Sequence, residues 1–149
     1  LTGGVGEDVV TERDRLDPFA ASLTFEAGRR VDSGGELLAA LLTDIGEACH
    51  AAGCSLIGHI KCHAAGNGRA FACSLTSRRT GAACRGAHLE PLEPGTSLEV
   101  ELVVLVYGLS RDTVDAAVRQ ALARSAKGSG GDWVLCTESH SHSHASGSC

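Results

Sequence analysis

Residues 97–107 read Ser97-Leu98-Glu99-Val100-Glu101-Leu102-Val103-Val104-Leu105-Val106-Tyr107. Leu98, Val100, Leu102, Val104 and Val106 alternate with Glu99 and Glu101, and a period of two means a strand with one buried face. From Leu102 onward the run is apolar on both faces, which predicts a central place in a sheet. A central strand needs neighbours, and the flanking sequence supplies them.

Downstream, Ser110 predicts a helix cap, and Val114, Ala117, Val118, Ala121 and Leu122 recur at helical spacing behind it. Upstream, residues 78–96 read as loop, because Gly81, Gly86, Pro91, Pro94 and Gly95 break any pattern. Before that loop, Phe71, Cys73 and Leu75 form the apolar face of one strand. Cys54, Leu56, Gly58, Ile60 and Cys62 form that of another, with Ser55, His59, Lys61 and His63 largely opposite. Gly66-Asn67-Gly68 between them predicts a hairpin, and a two-residue turn at Asn67-Gly68 places Cys62 opposite Cys73.

Ser33 and Glu36 match a capping box. Leu38, Leu41, Leu42, Ile45 and Cys49 continue it as an amphipathic helix that Gly53 stops. In residues 20–30, Leu23 and Phe25 alternate with Ser22, Thr24 and Glu26 as a first strand. The order β-α-β-β-β-α predicts an α+β two-layer sandwich, a four-stranded sheet with two helices on one face. If the first two strands are neighbours, their crossover is parallel and right-handed.

Three parts follow: a peripheral segment or linker over 1–18, an α+β domain over 19–127, and a flexible Gly/Ser/His/Cys tail over 128–149 that is apolar only at Trp133-Val134-Leu135-Cys136. The start at Leu1, with no signal-like segment, reads as a piece of a longer protein.

Composition bounds the function. The chain has 149 residues, is 43% hydrophobic and carries a formal charge of −5, and only 3% of it is aromatic. An acidic chain poor in aromatics is a poor binder of nucleic acid. No run approaches the roughly 18 to 20 apolar residues of a membrane helix. Its seven cysteines lack the loop spacing of a secreted disulfide scaffold, which favours a cytoplasmic setting.

The chemistry-bearing residues concentrate in the tail. His140, His142 and His144 alternate with serine between Cys136 and Cys149, and imidazole with thiolate suits zinc, cobalt or nickel. Ser/Gly spacing lets such a site form around the ion.

A second group, His50, His59, Cys62, His63, Cys73, Cys84 and His88, has no C-x-x-C or H-E-x-x-H pair. His59 and His63 stand about 13 Å apart at roughly 3.3 Å per residue, too far for one ion. His59 with Lys61 offers a general base in search of a partner, and Arg78-Arg79 with Arg85 an anion site. Neither Gly3–Gly6 nor Gly128–Gly131 matches a phosphate loop, and no catalytic motif stands out.

Ile45-Gly46-Glu47, Leu56-Ile57-Gly58-His59-Ile60-Lys61, Ser74-Leu75-Thr76-Ser77 and Leu105-Val106-Tyr107-Gly108-Leu109 together resemble a region that follows the GTPase domain of CobW-like proteins, metal-trafficking GTPases linked to cobalamin biosynthesis. The resemblance spans roughly residues 20 to 124. The family's phosphate loop, magnesium-binding residues and Cys-x-Cys-Cys-type motif have no counterpart here. No functional residue therefore carries over, and His140, His142 and His144 are the positions to connect with such metallochaperones.

The resemblance implies a non-catalytic accessory domain for metal delivery, with a GTPase domain or a target metalloprotein as partner. Two rival readings use the sheet face around His59. One is a small-molecule enzyme, and the other a ligand-binding regulatory module that pairs with a second copy as a homodimer.

Overall fold

The computed structural model describes residues 18–66, 68–86 and 91–137. Strand β1 (Phe19–Glu26) leads to helix α1 (Gly34–Ala51), β2 (Leu56–Gly66), β3 (Arg69–Leu75) and β4 (Ala83–Gly86). Strand β5 (Ser97–Tyr107), helix α2 (Arg111–Ser129) and β6 (Asp132–Thr137) complete the described fold. The fold is α+β, with two helices and one six-stranded antiparallel sheet in the order β4-β3-β2-β5-β1-β6.

Six strands correct the expected four, and the two additions have separate causes. β4 lies in the glycine-punctuated 78–96 stretch, and all four of its residues are exposed, so no burial pattern marks it. Its partner β3 and a Cys73–Cys84 disulfide hold it in place. β6 arises from the Trp133–Cys136 patch, whose composition sets it in the tail. It pairs with β1 over Glu26↔Asp132 to Ala21↔Thr137. The segments 1–17 and 138–149 lie outside the described residues.

Local signals explain most elements. The Ser33 side chain accepts from the Glu36 backbone N–H at 3.1 Å, and the Ser110 side chain from that of Thr113 at 3.1 Å. Each bond satisfies a first-turn amide that the helix itself leaves unpaired. α2 ends at Gly130, whose φ of 73° is the left-handed conformation that suits glycine at this position.

β5 is central, as its doubly apolar second half requires, with β2 on one side and β1 on the other. β1 and β2 are consequently parallel but not adjacent, so the condition for a direct crossover between neighbours is not met. β5 and β6 are likewise separated by β1. The chain thus forms two interleaved split βαβ units, extended at one edge by β3 and β4.

One face of the sheet is buried along β1, β2, β3 and β5, and β6 packs Trp133 and Leu135 against it. Phe25, Leu23, Ile60, Leu75, Val100 and Leu102 meet Leu38, Leu41, Leu42 and Ile45 of α1 and Val118 of α2 in a single core. α1 also packs against α2. Among the described residues no helix is long and apolar enough to cross a membrane.

β2 departs from the expected alternation. Its pairing with β5 shifts between Ile57↔Val106 and His59↔Leu105, leaving Gly58 as an extra residue in a β-bulge. The bulge reverses the faces of the strand's first residues. Ile57 packs against the core, and Leu56, expected on the buried face, is 61% exposed. Glycine suits the bulge because a Cβ on Gly58 would lie 3.1 Å from the Leu105 carbonyl oxygen.

Candidate functional site

Three places collect polar or reactive side chains. The first is the row of cysteines across β2, β3 and β4. Cys62 lies opposite Cys73, as the two-residue turn predicts, and Cys73 lies opposite Cys84. Cys73 and Cys84 form the disulfide, while Cys62 is a buried free thiol. Burial pushes the Cys62 thiol up to about 11, against a smaller opposite pull from a hydrogen bond with the Cys73 backbone. Cys49 on α1 is likewise raised to about 11 by burial, and half-buried Cys54 is raised for the same cause. Raised thiols are poor nucleophiles and poor ligands at neutral pH.

The second place is a cleft of about 540 Å³ where the end of α1 meets the start of β2 and the β3–β4 loop. Glu47, His50, Cys54, Thr76, Ser77 and Arg79 are among its lining residues. Arg78 does not stand ready for an anion. Its Nε and Nη2 donate to the two Glu47 carboxylate oxygens at 3.1 and 3.2 Å. That forked bond holds the Glu47 carboxyl below its ordinary value.

The third is a hollow of about 340 Å³ on the open sheet face, lined by His59, Lys61, His63, Ser74, Thr76 and Arg85 among others. Strand alternation brings these together: Lys61 lies opposite Ser74, His63 opposite Ala72, and Ala72 opposite Arg85. The hollow is basic and hydroxyl-lined. His59 is half-buried there.

The metal-site residues read from the sequence meet the described structure at one point. Cys136 is the next-to-last residue of β6, half-buried, opposite Ser22, and disulfide-bonded. His140, His142, His144 and Cys149 lie outside the described residues, as does His88. Among the described residues no three His, Cys, Asp or Glu side chains are grouped closely enough to hold an ion.

Sequence reasoning missed the Glu47–Arg78 pair and the outward turn of Leu56. The pair joins residues 31 positions apart, and no periodicity links them. The second had a signal, since a glycine inside a strand marks a bulge or a close backbone approach.

No family model matches the chain, and neither the curated proteins nor the solved structures include a match, so the resemblance to CobW-like proteins gains no support from them.

Proposed function

We propose that this chain is a non-catalytic transition-metal-handling domain. Its C-terminal segment captures zinc, cobalt or nickel and its α+β body anchors that segment. The observation that carries the reading is the run His140-Ser141-His142-Ser143-His144, three imidazoles at alternate positions. Neutral imidazole is a ligand for all three ions, and Ser and Gly neighbours let the chain wrap around one. β6 ties the base of this segment into the sheet, so an ion held there stays near the body. Cys136 supplies a thiolate only when reduced, because it is disulfide-bonded and a disulfide sulfur is not a thiolate. A GTPase domain or a metalloprotein that needs the ion is the partner this role calls for.

The test is titration of the intact chain, and of a chain ending at Thr137, with zinc, cobalt and nickel, with and without reductant. The intact chain should bind in both conditions, with cobalt absorption gaining sulfur-to-metal intensity only under reductant. The shortened chain should lose most binding and keep its circular dichroism. Equal binding by the two chains would refute the assignment.

A further inference from the structure

The open face of the sheet has two properties that a merely solvated face does not require. One is an apolar strip. Outward positions of a sheet solvated on one side are ordinarily polar. Here Val103, Leu105 and Tyr107 occupy consecutive outward positions on central β5, and Leu56, opposite Tyr107 on β2, is 61% exposed.

The other is the placement of charge. The sheet divides into two three-strand halves, β4-β3-β2 and β5-β1-β6. The first half contains no acidic residue and the second no basic one. On the outward face the first presents His59, Lys61, His63 and Arg85, and the second Glu26, Glu99, Glu101 and Asp132. Glu101 is held upright by Ser22, whose Oγ donates to it at 2.9 Å.

We infer that two copies of this chain meet through this face, in a symmetric dimer whose two-fold axis runs along the strands between β2 and β5. A two-fold contact needs a self-complementary surface, and this axis provides one. It lays β4, β3 and β2 of one copy over β6, β1 and β5 of the other, so each basic half covers an acidic half. His63 then faces Glu101 of the second copy, with Lys61 diagonal to it, and Leu56 meets Tyr107. An axis across the strands would stack each half on its like and be repelled. At about 3.3 Å by 4.8 Å per strand residue the face covers roughly 750 Å², close to the roughly 800 Å² per partner of a stable interface.

Light scattering and sedimentation of the full chain over a wide concentration range test this. The dimer should predominate at high concentration and dissociate on dilution. Leu105→Glu, Glu101→Lys and Lys61→Glu should each weaken association by at least about a hundredfold while keeping a native circular dichroism spectrum. The combined Glu101→Lys and Lys61→Glu chain exchanges the two signs and should recover to within about tenfold of the unmodified protein.

A monomer at every concentration would overturn the inference and assign the face to another segment or partner. So would a Leu105→Glu chain that dimerises undiminished, or a combined variant no tighter than the single ones.

Discussion

Replacing Trp133 by alanine tests whether residues 132–137 are part of the fold or merely follow it. Trp133 is half-buried on the core side of β6, its ring centroid 4.9 Å from that of Phe25, and its Nε1 donates to Ser125 Oγ at 2.9 Å. It thereby ties the edge strand to both the β1 core and α2. A tryptophan so placed removes roughly 150 Å² from water. At about 25 cal/mol per Å² this is close to 4 kcal/mol, which compactness of the unfolded chain lowers to roughly 3 kcal/mol.

The ring pair with Phe25 and the indole hydrogen bond to Ser125 each add about 1 kcal/mol, and the retained alanine Cβ together with relaxation of a half-exposed site offsets a similar sum. The expected loss for Trp133→Ala is therefore about 3 kcal/mol, or roughly 10 °C in Tm. Trp133→Phe keeps a ring against Phe25 and loses the indole hydrogen bond, at about 1 kcal/mol. Urea unfolding followed by far-ultraviolet circular dichroism measures both. An alanine variant within about 0.5 kcal/mol of the parent, the range of surface substitutions, would refute the assignment of β6 to the core.

Other perturbations probe the remaining features. Reduction of the Cys73–Cys84 disulfide, or Cys84→Ser, should cost about 2 to 3 kcal/mol by releasing a short closed loop; unchanged denaturation with and without reductant would contradict this. Glu47 has a lowered pKa, so its bond to Arg78 stabilises the fold above the ordinary carboxylate range, and that contribution fades as pH falls through the folded value. Acid titration of stability should show this dependence in the parent and lose it in Arg78→Met.

Cys49 and Cys62, raised to about 11, stay protonated at neutral pH. In the native protein an alkylating reagent should therefore modify half-buried Cys54 before either. Mass-spectrometric mapping that found Cys62 labelled first would contradict its burial.

How much of this was legible in the residues differs from element to element. Ser33 and Ser110 each cap a helix through bonds only three residues long, and the stripe from Val114 to Leu122 buries on its predicted face. Those interactions are local, so order along the chain contains them. The Cys62↔Cys73 register was equally readable, because a two-residue turn leaves one alignment. The central place of β5 followed from its apolar second half.

The sequence alone therefore determined the helices, the hairpin, the buried face of most strands and the alternating imidazoles at 140–144. Tertiary structure decided the rest, through contacts between residues far apart in the chain. β6 became a strand because β1 offered an edge and Phe25 a surface for Trp133. β4 became one because Cys73 holds Cys84. The Gly58 bulge turned Leu56 outward because β2 had to match β5. The separation of charge into two halves of one face exists only in the strand order, which places β5 between β1 and β2 and so gathers the acidic strands on one side and the basic strands on the other.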